Sequence, residues 1–171
     1  MAKQSLAPAL PLLLTRPDAQ ARAFAARLER RFGAQVHPVI SPLMAPRFLA
    51  PTLPDGEFCG VIFTSLTGVV LSTVLNWPLP KRAYCVGAAT ARHAREAGFE
   101  ATSADGDAEA LLQVVLADPP KGRLLHLRGQ EARGDLAQRL TQAGVPTLEA
   151  VVYVQDPQPL TTPALALLRG E

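Results

Sequence analysis

Eight residues stand where short apolar runs break off: Thr15 and Arg16, Thr64 and Ser65, Gly87 and Thr90, Arg128 and Gly129. The runs before them, at 12–14, 61–63, 84–86 and 124–127, read as strands, and a helical pattern follows each. In an open α/β sheet, ligands sit just outside the carboxyl ends of the strands. There the first helical amides point outward unpaired, and the helix dipole favours negative charge. Hydroxyls, guanidinium groups and bare glycine backbone at such places suit an anion. The pattern therefore points to a binding cleft for a small anionic ligand. For Ser65 and Thr90 the competing role is a helix cap. Arg16 and Arg128 could pair with ligand carboxylates or simply lie solvated at strand ends.

Stronger chemistry has no signature in the chain. The stretch 129–134 is spaced like a phosphate loop, but Asp135-Leu136 follow instead of Lys-Ser/Thr. No G-x-G-x-x-G follows any strand, and no G-x-S-x-G is present. His37, His93 and His126 are scattered, without a second ligand at metal spacing. His126 lies inside a strand, which reads as a core histidine with its partners satisfied. His93 sits mid-helix near Arg92 and Arg95 and reads as solvated. Asp105 and Asp107 read as turn and cap residues. The expectation is no metal and no cofactor.

Strands and helices must alternate to position the eight residues. Residues 12–14 form a strand. Pro17 suits the first turn of the next helix, whose Ala21, Phe24, Ala25, Leu28 and Phe32 share one face. Gly33 ends it, and 36–40 is a second strand. Residues 41–56 are proline-rich and weakly patterned, a crossing segment with room for one short strand. Then strands at 59–63, 82–86, 99–103, 123–127 and 148–154 alternate with helices at 65–75, 88–97, 107–117 and 135–143. Asp107 caps the third of these helices, whose apolar face holds Leu111, Leu112, Val115 and Leu116. Another helix opens at Thr162-Pro163 and runs to the end at Glu171. Such alternation implies an α/β fold with a parallel, doubly wound sheet.

The bulk numbers agree with this. A chain of 171 residues makes one domain or two small ones. With 17 basic and 15 acidic residues the net charge is +2, and no basic run or aromatic ladder supports nucleic-acid binding. Many of the 16 prolines fall in connections, among them Pro38, Pro42, Pro46, Pro51 and Pro54. Cys59 and Cys85 read as two buried, reduced thiols. The apolar stretch 6–14, preceded by Lys3, is not a signal peptide: Pro8 and Pro11 interrupt it, and Thr-Arg-Pro-Asp replaces a small-residue cleavage site. It reads as a loose tail and then a strand, in a cytoplasmic protein.

Taken together, several motifs resemble the uroporphyrinogen-III synthase family. They are Leu-Thr-Arg-Pro at 14–17, Ile62-Phe63-Thr64-Ser65 with Gly68-Val69, and Cys85-Val86-Gly87-Ala88-Ala89-Thr90-Ala91. Leu127-Arg128-Gly129 and Val151-Val152-Tyr153 complete the set, in family order along nearly the whole chain. The resemblance implies a cytosolic, cofactor-free lyase of tetrapyrrole synthesis. It would cyclise hydroxymethylbilane to uroporphyrinogen III, inverting the terminal pyrrole ring and losing water. It implies two flavodoxin-like or Rossmann-like parallel-sheet domains joined by a two-stranded linker, with the cleft between them and a discontinuous first domain. Mapped here, 1–38 and 158–171 form the first domain and 39–157 the second with the linker strands. Family members continue further, so the first domain is expected to lack most of its C-terminal part.

The resemblance also assigns roles. Tyr153 is the expected catalytic residue, its phenol donating to the departing hydroxyl or positioning the terminal ring. Thr15, Arg16, Thr64, Ser65, Gly87, Thr90, Arg128 and Gly129 are the expected substrate contacts. Thr67 departs from the family, which often places Asn there, and it offers no amide donor. Most of the catalysis would come from holding the linear chain in the folded conformation that leads to ring inversion. The expected partner is this polycarboxylate substrate alone, with no nucleic acid or membrane, and the protein is expected to be a monomer. The competing class is a non-catalytic module, flavodoxin-like or periplasmic-binding-like, holding a small anion at the same strand ends.

Overall fold

A computed structural model of the chain describes residues 8–131 and 134–171. Lys3, Leu6 and the rest of the expected N-terminal tail, and the middle of the loop at 129–134, lie outside them. The described elements run β1 (Leu10–Leu14), α1 (Asp18–Phe32), β2 (Val36–Ile40), β3 (Met44–Phe48), β4 (Gly60–Phe63), α2 (Leu66–Val74) and β5 (Arg82–Cys85). Then come α3 (Ala88–Glu96), β6 (Glu100–Ser103), α4 (Ala108–Ala117), β7 (Leu124–Gly129), α5 (Leu136–Gln142), β8 (Thr147–Pro157) and α6 (Thr162–Arg169). This is an α/β fold whose strands pair mostly in parallel.

The chain divides into two compact units. One holds residues up to Ala45 together with Asp156–Glu171, and the other holds Pro46–Gln155. In the first, β1 pairs with β2 in parallel, Leu12 opposite Pro38 and Leu14 opposite Ile40. Ala21 and Ala25 of α1 pack on Leu14, with Phe24 and Ile40 beside them. Phe32, expected on the same face, is 40% exposed at the helix end, where the Arg31 guanidinium lies over its ring. Gly33 then turns the chain with φ +54°, a region costly for residues with a Cβ. At the other end of the sequence the Thr161 amide donates to Ser41 Oγ at 2.9 Å, tying the start of α6 to the end of β2.

In the second unit the strand order is β3-β8-β7-β4-β5-β6. Leu125 and Leu127 of β7 pack with Val69 and Leu71 of α2 and Ala91 and Ala94 of α3. Leu124 of the same strand packs with Leu111, Leu112 and Val115 of α4 and with Leu136 and Leu140 of α5. Side chains alternate along a strand, so this division sets α2 and α3 on one face of the sheet and α4 and α5 on the other. Strands β4, β5 and β6 are added in one direction and β7 and β8 in the other. The order therefore reverses between β4 and β7, where the sheet opens a crevice at its carboxyl edge.

Two prolines placed in connections by the sequence fall inside strands. Pro38 lies in β2 and Pro46 in β3. Both strands are sheet edges, β2 in the two-stranded sheet and β3 at the end of the larger one. An edge strand leaves every second N–H unpaired, so the missing donor costs nothing there. Strand β8 is longer than expected, and β3 and β8 are neighbours in the sheet. Both cysteines are free thiols: Cys85 is buried, while Cys59 is only partly so and donates to the Arg123 carbonyl. Among the described residues no helix is long and apolar enough to cross a membrane.

Candidate active site

The carboxyl edge at the β4–β7 reversal holds an open cavity of about 410 Å³. That lies within the roughly 300–1,000 Å³ of sites that hold small organic ligands. Thr64 and Ser65 enter it from the end of β4, His126 and Arg128 from β7, and Tyr153 from β8. Val86, the segment 106–108, Gly134 and Leu136 close the other sides.

Each polar side chain is set by its element. Ser65 is extended (φ −150°, ψ 155°) and caps α2, its Oγ accepting from the Gly68 amide at 3.3 Å. The same Oγ is 2.9 Å from the Tyr153 hydroxyl. Ser65 thus fills the cap role, and the same residue lines the cavity. Gly68 permits this: a Cβ on it would lie 3.2 Å from the Leu127 carbonyl oxygen, so α2 starts close against β7. Gly129 acts similarly, because the Tyr153 ring lies where its Cβ would be. A register irregularity between Arg128 and Gly129 brings Gly129 opposite Tyr153. A bulge of this kind re-aims a side chain.

A second polar chain crosses the same floor. Thr64 Oγ1 is 3.2 Å from His126 Nε2, and His126 Nδ1 is 3.2 Å from Glu149 Oε1. Arg128 Nε stands 2.9 Å from the other oxygen, Glu149 Oε2, as an ion pair whose N–H is not aimed well enough for a hydrogen bond. Arg128 Nη1 donates to the carbonyls of Gly129 and Gln130. The hydrogen bond from His126, reinforced by the Arg128 charge, holds the Glu149 carboxyl below the usual range, against the opposing effect of its partial burial. Asp107 lines the far wall, where its Oδ1 accepts from the amides of Glu109 and Ala110 as the α4 cap.

Three of the expected contacts, Thr64, Ser65 and Arg128, therefore line one cavity with Tyr153, the expected catalytic residue, and Gly129 lies beneath the Tyr153 ring. Gly87 and Thr90 do not line it. Gly87 caps α3 without a side chain, and Thr90 lies in the first turn of that helix. Thr15 and Arg16 are exposed at the end of β1 in the other unit. His126 does have satisfied ring nitrogens, as a core histidine should, yet it faces the cavity as well. Glu149 had no signal in the sequence, because its partner is a strand neighbour (His126 opposite Glu149) and not a sequence neighbour. His93, expected to be solvated, is only partly exposed, with Nδ1 2.8 Å from the Ala89 carbonyl oxygen. Among the described residues no group of three or more His, Cys, Asp or Glu is placed to hold a metal ion.

Fold and site together define an α/β protein with a mostly parallel sheet and an open cavity at its topological switch point. The chain belongs to the uroporphyrinogen-III synthase family: the family model described as "Uroporphyrinogen-III synthase HemD" matches residues 22–168. Solved structures agree on the fold. Uroporphyrinogen-III synthetase from Helicobacter pylori is 24% identical over 79% of this chain and superposes with a TM-score of 0.57. A mutant uroporphyrinogen III synthase from the extremely thermophilic bacterium Thermus thermophilus is 23% identical over 95% of this chain, with a TM-score of 0.54. The match covers 62% of the Helicobacter chain and 70% of the Thermus chain.

Proposed function

We propose that the protein acts as a uroporphyrinogen-III synthase. It cyclises hydroxymethylbilane to uroporphyrinogen III, with inversion of the terminal pyrrole ring and loss of water, in tetrapyrrole biosynthesis. The family match over 22–168 carries this reading. The cavity supplies a chemical rationale. Ser65 Oγ already accepts from the Gly68 amide, so its own hydrogen is available to the Tyr153 oxygen 2.9 Å away. The phenolic hydrogen is then free to point into the cavity. Donated to the hydroxymethyl oxygen of the substrate, it lets the C–O bond break with water as the leaving group. The carbon left electron-poor bonds to the substituted α-carbon of the terminal ring. The bond from that α-carbon to its methylene bridge then breaks, and the bridge re-forms at the ring's free α-carbon, which inverts the ring. The proton this last carbon loses restores the phenol. General-acid help of this kind is worth about 10²–10⁴-fold.

Thr64 and Arg128 are the proposed carboxylate contacts in the cavity, Ser65 bordering the substrate while it orients the Tyr153 phenol, with Gly87 and Thr90 contributing at the start of α3. Thr15 and Arg16 keep the substrate-binding role that the family motif gives them. The two compact units are proposed as the family's two α/β domains, the first discontinuous, joined through β3 and β8. A cytoplasmic, cofactor-free monomer of the lyase class completes the proposal. The test is to supply purified protein with hydroxymethylbilane and separate isomers I and III of the product. Formation of isomer III above the spontaneous background is expected, and isomer I alone would overturn the assignment.

A further inference from the structure

His126 and Glu149, which continue the polar chain from Thr64, are not used by the chemistry above. Thr64 and His126 line the cavity, while Glu149 stands behind them. The parallel register holds the chain in place, since Ile62 of β4 lies opposite His126 and His126 opposite Glu149 of β8. The His126 side chain is 4% exposed, so few alternative partners compete for its ring nitrogens. Among the described residues, the charged groups that pair with it or share its cavity are Glu149 from β8, Arg128 from β7 and Asp107 from the start of α4. Of the described residues, β4 brings the neutral Thr64 and Ile62 to it, and α5 lines the cavity with Leu136.

We propose that Thr64 is a proton-gated hydroxyl: a ligand carboxylate binds against it with uptake of one proton by His126. The inference rests on the polycarboxylate reading of this cavity and adds to it how one carboxylate is recognised. An ionised Glu149 can only accept, so the His126 nitrogen facing it, Nδ1, carries a hydrogen. In the neutral ring Nε2 can then only accept. Thr64 gives it the single hydroxyl hydrogen and shows the cavity lone pairs alone, which repel a carboxylate. When the ring takes a proton from solvent, Nε2–H donates to Thr64 Oγ1. The threonine hydrogen is released and turns to the cavity as a donor. A carboxylate thus selects the protonated ring, and the nearby positive charge strengthens the new hydrogen bond. Through this linkage the affinity falls as pH rises, by up to about tenfold per pH unit where the free ring is neutral.

The experiment is calorimetry of uroporphyrin III, the stable oxidised form of the proposed product, at pH 8 in buffers of different ionisation enthalpy. Wild type, Thr64→Val and His126→Gln are compared, and the imidazole nitrogens are followed by 15N NMR. Wild type is expected to take up about one proton per ligand bound and each variant essentially none. The ring nitrogens should show the Nδ1–H tautomer in the free protein and double protonation in the complex. Binding without uptake, uptake that persists in the Thr64→Val protein, or an Nε2–H tautomer in the free protein would overturn the inference. None of these touches the proposed reaction, which the isomer assay decides on its own. Failure of uroporphyrin III to bind at all would overturn the inference whichever isomer is formed.

Discussion

Adding one methyl group at Gly129 should disable Tyr153 without touching it chemically. Gly129 is buried, and a Cβ on it would lie 2.6 Å from Cε2 and Cζ of Tyr153 and 2.9 Å from its hydroxyl oxygen. Non-bonded carbons settle at about 3.5–4.0 Å, so in Gly129→Ala the ring must withdraw by roughly 1 Å. A move of that size breaks the 2.9 Å hydrogen bond to Ser65. Overpacking costs about 1–3 kcal/mol, and the lost hydrogen bond about 1 kcal/mol more. At roughly 2–4 °C per kcal/mol for a chain of this size, the melting temperature should fall by about 4–16 °C. Formation of isomer III should fall about as far as removal of the phenol takes it, by up to roughly 10²–10⁴-fold. The deciding measurement is a double-mutant cycle on stability. In a Tyr153→Ala background the new methyl meets vacated space and the hydrogen bond is already gone, so Gly129→Ala should there cost little, giving a coupling of about 2–4 kcal/mol. An equal loss in both backgrounds would refute the steric argument and place the strain elsewhere.

Tyr153→Phe keeps the ring packing and removes only the phenolic hydrogen. It should leave the fold intact while slowing isomer III formation by up to about 10²–10⁴-fold, and unchanged turnover removes Tyr153 from the mechanism. Glu149→Gln keeps an acceptor for His126 but abolishes the charge facing Arg128. The Glu149 carboxyl is held low by these partners, so its contribution is present above the ordinary carboxylate pKa near ~4.3 and disappears as pH falls through the folded value. Denaturant titrations should therefore show the variant about 1 kcal/mol weaker at pH 7 and indistinguishable from wild type in strong acid. A difference independent of pH would contradict this. Burial pushes the Cys85 thiol up to about 11, so a thiolate-dependent reagent at pH 8 should leave it unlabelled until the protein unfolds. Prompt labelling in the native state would mean that strand β5 opens.

Much of the fold was legible because it is local. Ser65 and Asp107 cap the helices that begin after them because their side chains reach amides two or three residues on. The runs at 60–63 and 124–127 are strands buried on both faces, and hydrophobicity broken only at His126 announces that. The prolines at 38 and 46 were misplaced because whether a strand tolerates proline depends on its being an edge, which is a property of the assembled sheet.

The site divides in the same way. Sequence alone determined which strand ends carry hydroxyls, guanidinium groups and glycine, and hence that a polar cleft lies along the carboxyl edge of the sheet. It determined Tyr153 only through family resemblance. The tertiary structure alone decided that the strand order reverses between β4 and β7, which gathers Thr64, Ser65, Arg128 and Tyr153 into one cavity and leaves Gly87 and Thr90 outside its wall. It alone joined His126 to Thr64 across 62 residues and to Glu149 across 23. The reason is physical: a parallel register pairs side chains by their position along neighbouring strands, and separation in sequence carries no trace of it.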